Sequence, residues 1–156
     1  MTKQNNPSVH EEIIKSVSKL CVKYIRKYNK QILGIYLSPY RVGGMQRIEV
    51  VIVDNNKDPK NNITLSKRET QINNLKILFN TQSANNYKRK TSAYNYKLLR
   101  DLNYGSIIYD TNNELLKIKN TAINDEQLIE PINSYQLPTE FTKLLKRRIY
   151  TYRRKK

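Results

Sequence analysis

The sequence predicts an α/β (α+β) protein, a small mixed β-sheet flanked by helices with a basic helix at its C-terminal end. Three observations carry this. A helix-period apolar stripe opens the chain, two apolar runs follow across a Gly-Gly turn, and a helix–Gly–strand unit comes after a long polar stretch. At 156 residues a single domain is the simplest reading, and it is long enough to bury a core.

Residues 1–8 read as a disordered polar tail and 9–156 as the domain. Ser8 stands three residues before Glu11, the spacing of a capping box. Ile13, Val17, Leu20, Tyr24 and Tyr28 then recur at helical intervals, with Ile14, Cys21 and Ile25 widening the stripe, so a helix is expected over 9–29. "ILGIYLS" (32–38) and "RIEVVIVD" (47–54) read as strands joined by "PYRVGGMQ". The second run is nearly continuous in Val and Ile, which suits a central strand covered on both faces.

The stretch 55–71 is polar and is expected to be weakly structured at best. "INNLKILFN" (72–80) reads as a third strand, with Leu75, Ile77 and Phe79 on one face and Asn74, Lys76 and Leu78 on the other. A basic loop leads to a helix from Ser92, and Gly105 is expected to end it with a left-handed cap. "SIIYD" (106–110) is a short strand, followed by an Asn-rich turn and a brief apolar stretch; 122–136 reads as either helix or loop. The last helix, 138–156, places Phe141, Leu144, Leu145, Ile149 and Tyr152 on one face.

Lys and Arg number 29 against 13 Asp and Glu, a formal charge of +16. Such a field attracts polyanions, and neutralisation of phosphates by Lys and Arg is the usual source of non-specific nucleic-acid affinity. The plainer alternative is an idle basic surface, since AT-rich codon usage raises Lys together with Asn and Tyr. Cys21 is the one cysteine, so an internal disulfide is excluded, and buried filler is its expected role. One His and one Cys leave no zinc site of these ligand types. No apolar run approaches the roughly 18 residues that span a bilayer, and the N-terminus has no signal-peptide core, so a cytoplasmic protein without a membrane partner is expected.

At "YLSPYRVGG…RIEVVIV" the chain resembles the nucleotidyltransferase superfamily, the DNA polymerase β-like fold. "YNYKLLRDLNYGSIIYDTNNELLK" is similar to the helix, Gly, short apolar strand and Tyr-Asp turn that follow the third strand in that family. The resemblance covers roughly residues 10–118. It implies a Gly-Ser turn near phosphate, two acidic residues in the pattern D-x-D on the next strand, and a third on a later strand, together holding Mg²⁺ against the nucleotide. Here the Gly-Ser positions read Leu37-Ser38, the D-x-D positions read Arg47-Ile48-Glu49, and the third acid falls on Asn74 or Lys76. One acid of three is kept. Asp54 has the opposite strand parity from Glu49 and is expected on the other face.

The resemblance therefore implies a catalytically degenerate member that binds nucleic acid or nucleotide through its cations. Glu49 is the one catalytic or metal-binding candidate, with Mg²⁺ expected only if transfer survives. Ser38, Arg41, Gly43, Gly44, Arg47 and Lys76 are the phosphate candidates, because Arg pairs bidentately with phosphate oxygens and a Gly-rich turn admits close approach. Their plainer roles are a turn for Ser38 and the glycines, and an ion pair of Glu49 with Arg47 or Lys76.

Two basic-aromatic segments are nucleic-acid candidates in which Tyr rings would stack on unpaired bases of RNA or DNA. The first has Tyr87, Lys88, Arg89, Lys90 and Tyr94; the second has Lys146, Arg147, Arg148, Arg153 and Arg154. Their plainer reading is a solvated helix face and a charged tail. Two other functions stay open: an active nucleotidyltransferase with a reduced metal site, and a subunit that docks a protein partner through the first helix.

Overall fold

The computed structural model describes residues 7–38, 40–41, 46–55, 63–72, 74–88, 93–122, 134–135 and 139–154. Helix α1 (Pro7–Tyr28) leads through a single 3-10 turn (Asn29–Gln31) into β1 (Ile32–Leu37), β2 (Tyr40–Arg41) and β3 (Gln46–Asp54). Then come β4 (Glu69–Ile72), β5 (Leu75–Ser83), a 3-10 turn (Ala84–Tyr87), α2 (Ala93–Asn103) and β6 (Ser106–Asp110). The described chain closes with α3 (Glu114–Ala122), β7 (Ser134–Tyr135) and α4 (Thr139–Arg154). The result is the α+β fold that the hydrophobic pattern predicts.

The main path of the sheet runs β4-β5-β3-β1-β6, with β2 pairing both β3 and β7. β1 lies antiparallel to β3 and to β6, whereas β3 and β5 are parallel. Strand parity divides the sheet into two cores. Ile35, Leu37, Ile48, Val50, Ile52, Ile77 and Phe79 face α1 and α4. Tyr36, Val51 and Val53 face the other way, with Tyr87, Leu98, Leu99, Leu102 and Leu115. β1 is buried along its whole length, as are Ile48 and Val50–Val53, so the continuous apolar runs mark strands covered on both sides.

Several expectations need correction. α1 begins at Pro7, so residues 7 and 8 belong to the helix rather than to a tail, and Ser8 is helical rather than an N-cap. Pro is well suited to the first helical position because its missing N–H has no partner there. Asn29, at φ 48°, ends α1 in the left-handed region.

Gly105 does not have a positive φ. It is small because a Cβ there would lie 2.3 Å from the Leu37 carbonyl oxygen and 2.6 Å from that of Asp101. The third strand starts at Leu75 and runs on to Ser83, and Ile72 belongs to β4. Most of β4 lies within the stretch expected to be weakly structured at best, and it pairs antiparallel with β5, Ile72 opposite Leu75. The brief apolar stretch after the Asn-rich turn is α3, whose Leu115 and Leu116 amides donate to the Asp110 carboxylate at 2.9 and 3.0 Å. Leu144 is solvent-exposed, while Phe141, Leu145 and Ile149 form the buried stripe of α4.

The 1–6 portion of the expected tail and most of 122–136 lie outside the described residues. Cys21 is fully buried, and burial pushes its thiol up to about 12, which leaves it protonated and inert. Asp54 faces the α1 side, as parity requires, accepting from Gln31 at 3.3 Å and from the Ile63 amide at 3.2 Å. Among the described residues no helix is long and apolar enough to cross a membrane. The apolar face of α1 is consumed by the sheet, which leaves its charged face for any partner.

Candidate functional site

Pairing of β1 with β3 continues past Leu37–Val50, and the Ser38 amide donates to the Glu49 carbonyl at 2.9 Å. Ser38 and Glu49 are thus opposite one another, on the sheet face that carries Tyr36 and Val51. Two residues back on β3, Arg47 is the register partner of Lys76 on β5 and of Arg41 on β2. Partners in register share a face, so Ser38, Glu49, Arg47 and Lys76 gather at one end of the α2 side of the sheet. Ser38 is buried, Glu49 and Lys76 are half-buried, and Arg47 is exposed.

Lys76 is bonded to Glu69 of β4 at 3.0 Å, so its carboxylate partner is a residue that the sequence reading did not weigh. At the three positions where the resemblance implies acids, the chain carries Arg47, Glu49 and Asn74 or Lys76. Asn74 lies in the turn before β5, which makes Lys76 the strand position beside Arg47. That donor set does not fit a divalent ion: one carboxylate stands beside two cations that repel it. Among the described residues, no three His, Cys, Asp or Glu side chains are grouped to hold a metal.

Beneath this edge lies a polar cluster missing from the sequence reading. The Tyr36 and Tyr87 hydroxyls are 2.8 Å apart and both rings are buried, set edge to face. Burial holds the Tyr36 phenol well above its ordinary range, and Tyr87 and the carboxylates of Asp101 and Glu49 reinforce the shift. Asp101 is buried on α2, with Arg100 Nε at 3.8 Å. Its signal was legible: a carboxylate set in the apolar stripe Leu98–Leu99–Leu102. Tyr36 shares the parity of Ser38, two residues away.

Tyr87 is therefore a core residue and not a platform for stacked bases, which corrects that part of the nucleic-acid expectation. Lys88 beside it is exposed, and Tyr94 falls within α2. Gly43, Gly44, Arg89 and Lys90 lie outside the described residues, as do the side chains of Arg41, Tyr94 and Arg154.

On α4, Lys146 and Arg147 are exposed. Arg148 is bonded to Glu11 of α1 at 2.8 Å. Arg153 donates to the Tyr109 hydroxyl at 3.2 Å and its guanidinium lies 5.7 Å from both the Tyr109 and Tyr150 ring centres. These two arginines fasten α4 to α1 and β6.

No protein-family model matches the chain, and a search of curated proteins finds no match. The fold and the site thus define its class no further than a small α+β protein.

Proposed function

We propose that the chain is a nucleotidyltransferase-like domain without metal-dependent transfer, which binds nucleic acid or nucleotide through its cations. One observation carries the reading. Arg47 and Lys76 are register neighbours at positions where the resemblance implies acids, on the face where Ser38 stands opposite Glu49. Such a site suits phosphate oxygens better than a divalent ion, because guanidinium and ammonium groups supply the counter-charge directly. The net charge of +16 draws a polyanion to the surface.

Binding of a labelled single-stranded RNA tests this. Affinity falls steeply between about 50 and 200 mM salt, and Arg47→Gln with Lys76→Gln weakens it. Absence of binding at low salt overturns the reading.

A rival is an active transferase with a reduced metal site. Its support is geometric: Glu49, the one acid kept, stands opposite Ser38 across the β1–β3 pairing. Incubation with labelled nucleoside triphosphates, Mg²⁺ or Mn²⁺ and RNA or protein acceptors separates the two. No transfer is expected; transfer abolished by Glu49→Gln would establish the rival.

A further inference from the structure

The exposed face of α1 carries a row of lysines that neither the hairpin site nor the core explains. Lys15, Lys19, Lys23 and Lys27 follow one another at every fourth residue, and all four are exposed. The helical rise sets successive lysines about 6 Å apart and makes the row about 18 Å long. A helix face that is merely solvated alternates its charges, because opposite charges four residues apart attract and like charges repel. Here three successive pairs are like-charged.

The nearest acids do little to relieve them. Glu11, four residues before Lys15, is held by Arg148, and Glu12 sits only at the amino end of the row. Among the described residues none of the four lysines has an ion-pair partner. Lys23 reaches the neutral Ser66 hydroxyl at 3.4 Å, and Lys27 lies 5.3 Å from the ring centre of Tyr28.

A second strip of positive charge is fastened alongside. The Tyr24 hydroxyl donates to the Lys67 carbonyl at 3.0 Å and accepts from its amide at 3.1 Å. Tyr28 does the same with Thr64, at 2.8 and 2.9 Å. These bonds hold the segment before β4 against α1, and its Lys67 and Arg68 are exposed.

We propose that this face of α1, with Lys67 and Arg68, is a docking surface for the phosphate backbone of a nucleic-acid duplex, bound without base recognition. The inference rests on the reading that the chain binds nucleic acid, and it adds a contact surface on the opposite side of the sheet from Arg47. A rigid row of evenly spaced cations complements a rigid polyanion. The face offers no stacking platform, since Tyr24 is buried and Tyr28 is bonded to the backbone, so unpaired bases have nothing to rest on. It also lacks what a membrane-surface helix needs. The apolar side of α1 is in the core, and the exposed large hydrophobics among the described residues, Leu116 and Leu144, lie on α3 and α4.

The test is binding of a labelled DNA duplex by the full chain across a salt series, comparing the wild type with Lys15→Gln/Lys19→Gln/Lys23→Gln. Three lost contacts lower the slope of log affinity against log salt by about 2.7 and weaken binding roughly 10²-fold or more near 0.1 M salt. Relief of repulsion leaves the melting temperature of the variant unchanged or higher, which excludes misfolding as the cause. Lys97→Gln/Lys117→Gln, at exposed positions on α2 and α3, keeps most of the affinity.

A wild type that binds duplex while the triple variant binds equally, with the same slope, overturns the inference and leaves the proposed function standing. A wild type that binds no nucleic acid at low salt overturns both. Anionic phosphatidylserine vesicles bound through the same lysines, in place of the duplex, would mark the face as a membrane surface and overturn the proposal.

Discussion

Replacing Gly105 by alanine tests how the helix–Gly–strand unit is seated against β1. The added Cβ would stand 2.3 Å from the Leu37 carbonyl oxygen and 2.6 Å from the Asp101 carbonyl oxygen. Both are backbone atoms, so no rotamer change relieves the contact, and the α2–β6 junction must retreat from the end of β1. Overpacking of this kind costs about 1–3 kcal/mol. Loss of glycine's freedom in the unfolded chain offsets about 0.4–1 kcal/mol of that. A net loss of about 1–2 kcal/mol corresponds to a fall in melting temperature of about 2–8 °C for a chain of this size.

Urea and thermal unfolding followed by circular dichroism measure it. Gly105→Asn is the discriminating partner. Asparagine tolerates a left-handed cap but brings the same Cβ, so it is expected to destabilise at least as much as alanine. An asparagine variant as stable as the wild type, beside a weakened alanine variant, would refute the steric account and restore the left-handed cap.

Tyr36→Phe and Tyr87→Phe each break the 2.8 Å hydroxyl contact, at a cost of about 0.5–1.5 kcal/mol for the lost hydrogen bond. The double variant is expected to lose clearly less than the sum of the two, and strict additivity in urea melts would deny the coupling. Cys21 makes stability depend on alkaline pH. Its folded value, about 12, lies above the ordinary 9.0, so its contribution is complete below pH 9 and is lost as pH rises through about 12. The difference in unfolding free energy between the wild type and Cys21→Ala should stay flat below pH 9 and shrink above it; a flat difference throughout would contradict the burial.

Parity arguments read the two faces of the sheet well. Ile77 and Phe79 against Lys76 and Leu78, and Asp54 against Glu49, fall where alternation puts them, because a side-chain period of two leaves little freedom once one face is buried. β4 was illegible for the opposite reason. "ETQI" sits at an edge with its side chains alternately exposed and half-buried, so it shows no apolar face, and only its pairing with β5 makes it a strand.

The site was legible in its composition but not in its pairing. Arg47, Glu49 and Ser38 can be read from "LSPYRVGGMQRIE", but the neighbourhood of Arg47 and Lys76 depends on a parallel register between strands far apart in sequence. The bond from Lys76 to Glu69 needs a strand that the pattern hides. Tyr87 misled because Tyr beside Lys and Arg looks like a stacking segment, whereas a long-range partner, Tyr36, draws it into the core. The lysine row on α1 is legible in its spacing, 15, 19, 23 and 27, and the burial of the apolar stripe is what leaves all four exposed.

The central claim is that this edge of the sheet meets phosphate with cations where a transferase would use metal. It is tested most directly by a crystal structure with a nucleoside triphosphate and Mn²⁺, using anomalous scattering to find the metal. The account predicts phosphate oxygens against Arg47 and Lys76 and no manganese peak at Glu49. A manganese ion bound by Glu49 and bridging the phosphates would contradict it.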